Sequence, residues 1–446
     1  MNPRLPDRVG ARAGSGADRP HYTCVGIGAG PANLSLASLL HRHPSLPHLF
    51  LDAKRAFSWH DGQQIARSSL QVTLFKDLVT LADPTNPYSF LAYLHDQGRL
   101  YHFINAQFSE VPRQEFRDYL DWVGRRNPHV VFGERVERVE FDDDRFVVHS
   151  TGQIITADNI VVGVGRIPWL PPLARGLRGE TQFHVAEFVG RARNLRDKRV
   201  CVVGGGQSGA EAFLDLISRP EDERPRRVTW VSRRSNYFPI DDSPFTNDYY
   251  TPSHADHFFR LPREVREDFV VRHVLSSDGI SESTLRAIYQ QVYVLRFLER
   301  AKDATCLLPG REVIAAAGDD RRGWDLTLVH REEPEAPETV TADAVVWATG
   351  FTQAALDFLD PIVGRLEREG SEFRIDAAFA VRWDGPADRN VFVQNAARRQ
   401  RGLADPNLSL NAWRSRRILD RITGMSGDSQ LPSFIEWSAT DGPGPR

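Results

Sequence analysis

Tyr22-Thr-Cys-Val25 runs directly into Gly26-Ile-Gly28-Ala-Gly30-Pro31, and Arg199-Val-Cys-Val-Val203 runs directly into Gly204-Gly-Gly206-Gln-Ser-Gly209. Each is a short apolar strand that ends in a glycine turn. Each turn opens a helical pattern, through Leu34, Leu36, Leu39 and Leu40 after the first and through Ala212, Phe213, Leu216 and Ile217 after the second. A further strand closes each unit: His48-Leu-Phe-Leu51 ends on Asp52, and Val228-Thr-Trp-Val231 ends on Ser232-Arg233-Arg234. Strand, turn, helix, strand therefore occurs twice, which requires parallel sheets joined by right-handed crossovers.

A dinucleotide pyrophosphate needs close backbone approach, which a Cβ would block, and the positive end of a helix dipole. In the first unit Gly26 and Gly28 supply the turn and the approach, Gly30 is a further expected cofactor contact, and Pro31 replaces the third usual glycine. Pro31 begins the helix, where the missing N–H would be unpaired in any case. Asp52 falls where an acid can bind the ribose hydroxyls of an adenosine. The second unit carries Gly204, Gly206 and Gly209, with Gln207 and Ser208 at the helix start. Its closing strand ends on arginine where an NAD site would carry an acid. A guanidinium at Arg233 can pair a 2′-phosphate, so NADPH is the expected ligand. Two more segments fit a paired-cofactor scaffold. Ile160-Val-Val-Gly163-Val-Gly165-Arg-Ile-Pro168-Trp-Leu-Pro171 closes the first lobe, and Asp343-Ala-Val-Val-Trp-Ala348-Thr349-Gly350-Phe351 is read as returning to it.

Composition excludes several other classes. The chain of 446 residues is 41% hydrophobic and 26% charged with a formal charge of −3, as in ordinary globular proteins, and exceeds what one core usually serves. No basic cluster interleaved with aromatics marks a nucleic-acid binder. No apolar run is long enough to span a membrane, and the Gly-, Pro- and Arg-rich start holds no signal-peptide core. Cys24, Cys201 and Cys306 form no Cys-x-x-Cys or Cys/His ligand pattern. That argues for a reducing cytoplasm and against both a metal site and a dithiol redox centre. With no cysteine pair and no quinone-anchoring helix, dioxygen is the natural electron acceptor. A flavin reductase that inserts no oxygen is the competing class. Residues 284–300 read as an amphipathic helix with Leu285, Ile288, Tyr289, Val292 and Leu295 on its buried face. Leu410 to Ile422 reads as another, stopped by Gly424.

At this point the chain resembles the flavin-dependent N-hydroxylating monooxygenases of siderophore and hydrazine biosynthesis, from about Tyr22 to Gly424. The specific segments are Phe57-Ser-Trp59-His60, Leu74-Phe-Lys76-Asp-Leu78, Asp83-Pro-Thr-Asn-Pro-Tyr-Ser-Phe90, Asp241-Asp-Ser-Pro-Phe245 and Leu403-Ala-Asp-Pro-Asn-Leu408-Ser409-Leu410. Ser277-Asp-Gly-Ile280 is similar to the L-lysine N6-hydroxylase branch, whereas Asn247 is similar to the ornithine branch. Arg399-Gln-Arg401-Gly402 stands where the family more often has Thr-His-Gly.

The resemblance implies an α/β fold of two Rossmann-like dinucleotide-binding domains, for FAD and NADPH, plus a small, mostly helical substrate-binding region. The expected layout is a disordered leader at 1–20 and an FAD domain at 21–175 completed by 343–424. An NADPH domain follows at 176–342, with a substrate insertion at about 240–300, and a loose tail at 425–446. The family pattern places Lys76 on the substrate carboxylate, with Asn247 and Ser409 beside the substrate. It places Trp59, His60, Gln71, Thr349, Gly350 and Leu408 among the cofactor contacts, and it assigns no side chain as catalytic acid or base. The expected activity is NADPH- and O2-dependent hydroxylation of the side-chain amine of L-lysine, with L-ornithine or a diamine as alternatives. Oligomeric state, dimer or tetramer included, stays open.

Overall fold

Strands buried on both faces must be apolar throughout, and the two strand–turn–helix units meet that condition. In a computed structural model, which describes residues 19–66, 68–70, 73–108, 110–177, 179–425 and 433–438, they seed two separate sheets. Gln71, all but two residues of the expected leader and most of the expected tail lie outside the described residues.

The first sheet begins with β1 (His21–Ile27), helix α1 (Pro31–Leu40) and β2 (His48–Asp52). Helix α2 (Arg113–Arg126) leads to β3 (Val130–Phe132). A meander follows, β4 (Val136–Asp142), β5 (Arg145–Ser150) and β6 (Ile154–Val162). Strand order is β3-β2-β1-β6-β5-β4, with β3, β2, β1 and β6 parallel and the meander antiparallel. The chain leaves along β7 (Arg166–Pro168) and enters the second sheet at β8 (Gln182–His184). There β9 (Arg199–Val203), α3 (Gln207–Ser218) and β10 (Arg227–Val231) form the second unit.

Residues 244–298 are largely helical and end in α4 (Glu282–Tyr293), which runs on as a wider turn through Leu298. Strand β11 (Thr305–Leu308) precedes an antiparallel meander, β12 (Arg311–Asp319), β13 (Gly323–His330) and β14 (Glu333–Ala342). The meander covers the second sheet through Trp324, Leu326 and Leu328, packed with Cys201, Val203 and Trp347. Strand β15 (Ala344–Trp347) completes the second sheet, and β16 (Phe351–Gln353) and β17 (Asn390–Val393) carry the chain back. Helix α5 (Asn411–Thr423) ends at Gly424, whose φ of 68° makes the left-handed cap expected there.

Two expectations need correction. The strand of the segment beginning at Asp343 belongs to the second sheet, because β15 pairs in parallel with both β9 and β8, and only its Gly350 turn reaches Pro168 and Trp169 of the segment that closes the first lobe. The second sheet is thus β11-β10-β9-β15-β8, and the expected boundary at 342 falls one strand too early. The chain re-enters the first sheet itself only at β17, which pairs with Asn159–Val162 of β6. An apolar run such as Ala344-Val-Val-Trp347 can be buried in either sheet, and nothing within it says which. The second correction concerns α4: Ile288 and Leu295 are buried and Leu285 and Val292 pack beside them, but Tyr289 is 78% exposed. These four follow a seam at steps of three and four residues, and Tyr289 lies one residue, about 100° of rotation, beyond Ile288.

The returning chain is held by a buried polar network. The Arg414 guanidinium donates from Nη1 to the Asp405 carbonyl at 2.7 Å and to the Asp405 carboxylate at 3.3 Å. Its Nη2 donates to Asn395 and Asn411 Oδ1, both at 2.6 Å, and its Nε donates to Gln394 Oε1 at 3.1 Å. Gln394 in turn donates to Asn33 Oδ1 at 2.7 Å, and Asn33 Nδ2 donates to the carbonyls of Ile27 and Gly28. Asp405 also accepts from the Ala397 N–H at 2.9 Å. Both charged side chains are 1% exposed. A buried pair of this kind contributes little against an apolar substitute, but stranding one partner is expensive.

Replacing Arg414 by Leu leaves Asp405 buried without its cation, a cost of about 3–5 kcal/mol. The melting midpoint followed by circular dichroism should fall by on the order of 10 °C. A midpoint within 2 °C of the parent's would show that the network is incidental to the fold.

Candidate functional site

The two glycine turns supply the first part of the site. At the first, Gly28 has φ +88°, and a Cβ there would stand 2.6 Å from the Gly163 carbonyl oxygen. A Cβ on Gly26 would meet the Phe50 ring at 2.0 Å. These two glycines are required by the fold itself. Gly30 differs: it caps α1 without a side-chain hydrogen bond, and a Cβ there meets nothing within 4 Å. The N-terminus of α1 therefore faces open space beside Gly30. Asp52 reaches this turn from the end of β2, accepting from the Ala29 N–H at 2.7 Å and the Lys54 N–H at 2.8 Å. Both carboxylate oxygens retain acceptor capacity toward a ribose.

The second turn repeats this division of labour. Gly204 (φ +140°) lies so near Ala348 that a Cβ would be 2.1 Å from its carbonyl oxygen, and Gly209 would meet the Gly204 carbonyl at 2.2 Å. Gly206, the α3 cap, has only the Asp278 carbonyl within reach, at 3.9 Å. Arg233 and Arg234 part company here. Arg234 donates to the carbonyls of Gly205 and Asp278, at 3.1 and 2.9 Å. The Arg233 side chain is 71% exposed, with Glu312 at 3.9 Å, and stays free to turn toward a phosphate.

Between the turns, the two chain crossings pair as an antiparallel ribbon of β7 and β16. The expected contacts Thr349 and Gly350 lock it. Thr349 Oγ1 donates to the Trp169 carbonyl at 2.5 Å, while the Gly350 carbonyl accepts from Trp169 N–H and His184 Nε2, both at 2.9 Å. His60 is left-handed (φ 51°) and meets the Phe351 ring edge-on at 5.7 Å, with Trp59 packed against it at 5.0 Å. His60 Nδ1 lies 3.0 Å from Gln63 Oε1, and Gln63 Nε2 donates to Ser208 Oγ at 3.2 Å. Burial and the nearby Arg113 charge hold the His60 ring below its usual pKa. Gln207 is engaged with Glu211, Ser281 and Thr284 and serves to dock α4.

The candidate substrate residues come from three elements. Lys76 is positioned by its neighbour Asp77, whose buried carboxylate gathers the N–H groups of Val79, Thr80 and Phe90 and so knots residues 77–90. Lys76 itself is half-buried, and among the described residues its ammonium has no hydrogen bond or ion pair. Burial lowers its pKa, which an anion docking beside it would reverse. Ser409 is buried, with its Oγ unpartnered among the described residues, in the short turn Leu408–Leu410, where Asn407 accepts its N–H at 2.8 Å. Asn247 is exposed and donates to the Asp242 carbonyl at 2.9 Å. No hydrogen bond among the described residues joins these three to one another. A cleft of about 170 Å³ opens at the C-terminal ends of β6 and β17, bordered by Val162, Gly165, Gln353 and Asn395. In open α/β sheets that edge is where ligands bind. Arg401 turns away from such a role: it is buried, paired with Asp256 at 3.1 Å and stacked on Phe259 and Phe379.

Among the described residues, the open cradles at Gly30 and Gly206, the unpartnered Ser409 hydroxyl and the lone Lys76 ammonium all fit a protein built around two dinucleotides and a substrate that carries an anionic group. Reading the chain alone does not single out Asn33, Gln63, Arg113, Glu211, Gln394 or Arg414. Their partners are distant in sequence, and no local pattern announces them. No helix among the described residues is long and apolar enough to cross a membrane.

Residues 20–353 match the family described as L-lysine 6-monooxygenase/L-ornithine 5-monooxygenase. The L-lysine N6-monooxygenase of Escherichia coli is 36% identical over 418 residues, 93% of this chain and 97% of that protein. Among solved structures, the FAD-bound cadaverine monooxygenase DfoA of Erwinia amylovora superposes with a TM-score of 0.86 at 28% identity, covering 93% of this chain and 99% of that one. The ornithine N-hydroxylase of Kutzneria sp. 744, solved with reduced FAD, NADP+ and L-ornithine, does so with a TM-score of 0.82 at 26% identity, covering 91% and 99%.

Gly30→Val and Gly206→Val add side chains only to the two cradles, so both proteins should fold with near-parental melting midpoints. The first should purify largely without flavin, and the second should be yellow but resist reduction by NADPH. Flavin lost from the Gly206 variant and kept by the Gly30 variant would reverse the two assignments.

Proposed function

This chain belongs to the L-lysine 6-monooxygenase/L-ornithine 5-monooxygenase family, and from that premise we propose that it hydroxylates the side-chain nitrogen of L-lysine, in siderophore or related metabolism. It is a flavin-dependent N-hydroxylating monooxygenase that uses FAD, NADPH and dioxygen on a small amine. Reduced by NADPH, the bound flavin supplies oxygen activation, and the protein's share is to bind, orient and keep water away.

Lys76 carries the proposal of an amino-acid substrate. A half-buried ammonium without a partner among the described residues is a cost that a substrate carboxylate offsets and a diamine cannot. Asn247 and Ser409 would complete the cradle, Asn247 through its amide and Ser409 through its spare hydroxyl. The reacting amine must be neutral, and deprotonating a lysine side chain at pH 7 costs roughly 4–5 kcal/mol. A dry pocket lowers that cost, whereas a carboxylate beside the nitrogen would raise it. The identity to the Escherichia coli enzyme supports lysine over ornithine. If anchored at Lys76, ornithine, shorter by one methylene, would present its amine about 1 Å short of the position lysine reaches.

An amine panel scored by hydroxylamine formed should rank L-lysine first, then L-ornithine, then cadaverine and putrescine. Lys76→Ala should erase that ranking, mainly through KM, while flavin reduction by NADPH is retained. Cadaverine outperforming lysine in the parent enzyme would refute the role given to Lys76.

Arg233→Ala removes the guanidinium proposed for the 2′-phosphate. The KM for NADPH should rise by about tenfold to a hundredfold, as for loss of a charged hydrogen bond, with little change for NADH. Equal weakening of both cofactors would make Arg233 a structural residue.

A further inference from the structure

Arg113 opens α2 in the first domain, and Glu211 lies one turn into α3, directly below the Gly204–Gly209 turn. The two meet through paired bonds, Nη1 to Oε2 at 2.9 Å and Nη2 to Oε1 at 2.8 Å. Their side chains are 14% and 7% exposed. Neither is a segment of the family's dinucleotide pattern, and neither is used by the substrate cradle.

Their remaining bonds show what the pair connects. Arg113 also donates to the carbonyl of Gln63 at 3.1 Å, in the loop that carries Trp59 and His60. The Gln63 side chain reaches Ser208 on the second turn. Glu211 Oε1 accepts from Gln207 at 3.0 Å, and Gln207 accepts from the Ser281 N–H at 2.8 Å, at the start of α4. The flavin-side loop, α2, the NADPH turn and the first residues of α4 are thus joined at one point. The covalent crossings consist of two strands of three residues each, a ribbon that resists bending weakly on its own. A bidentate, largely buried guanidinium–carboxylate pair adds directional rigidity that the ribbon lacks.

We infer that Arg113 and Glu211 are positioning residues that hold the NADPH-binding turn in the orientation from which it reduces the flavin. The inference rests on the two-cofactor chemistry of the family and is independent of which amine is hydroxylated. The pair acts through the turn, so its loss should slow flavin reduction at saturating NADPH more than it weakens NADPH binding. Errors of about 1 Å between reacting partners are enough to cost a hundredfold in rate.

Stability and orientation can be separated by neutralising both partners. Arg113→Met and Glu211→Met each strand a buried charge and should destabilise the protein. The double variant strands none and should regain most of the parent's melting midpoint while retaining FAD. In that double variant the rate constant for anaerobic flavin reduction at saturating NADPH should fall at least about tenfold, with a smaller change in the NADPH dissociation constant. A second readout uses cofactor-free protein, spin-labelled at Arg125→Cys and Arg196→Cys in a Cys306→Ser background. The distance distribution between the labels should broaden in the double variant. Arg113→Lys, which keeps the charge and one bond, should fall between the parent and the double variant in both readouts. The inference is overturned if the double variant keeps either the parent's reduction rate or its distance distribution, or if Arg113→Lys is no better than the double variant.

Discussion

The fully buried contact between Arg414 and Asp405 is the interaction on which the first cofactor turn depends. The guanidinium gathers oxygen atoms from Asn395, Gln394, Asp405 and Asn411, and Gln394 passes the connection to Asn33. Asn33 holds the carbonyls of Ile27 and Gly28 in place. The conformation of the glycine turn near the start of the chain is therefore tied to a helix near its end. Such a network is unfavourable unless every member is satisfied, which ties correct closure of the C-terminal segment to a correctly shaped turn.

The second turn relies on another device. Its glycines pack against Ala348 and Ser232, and its helix is secured from outside by Arg113, Gln63 and α4. One turn is rooted in its own domain's core, and the other is also braced by a neighbouring domain. This division suits an enzyme whose two cofactors must be held in register, since catalysis between two bound partners is mostly a matter of relative placement. On a smaller scale, Asp77 gathers three backbone N–H groups and so fixes the backbone beside Lys76.

Much of this was legible in the chain read as text. Glycine turns, the apolar strands leading into them, the Gly424 helix stop and the Lys76 segment are local patterns, and each carries its physical reason within a few residues. Amphipathic periodicity located α4 but assigned Tyr289 to the wrong side, because a residue at the edge of a stripe is settled by what packs there. Arg233 and Arg234 are adjacent and alike as text. Only the folded chain shows that Arg234 is spent on the carbonyls of Gly205 and Asp278 while Arg233 lies exposed with Glu312 nearby.

By itself the sequence determined two dinucleotide-binding units of the α/β class, an arginine where the second ribose would sit, and a lysine in a segment specific to N-hydroxylating enzymes. Tertiary structure alone decided that Ala344–Trp347 belongs to the second sheet and that the chain re-enters the first sheet at β17. It also decided that Arg414 supports the first turn and that Arg113 meets Glu211 across the domains. The reason is one of range. Turn geometry and helix periodicity act between residues close along the chain, whereas strand ownership and buried ion pairs join residues separated by up to several hundred positions, where a single sequence holds no record of which partner each will find.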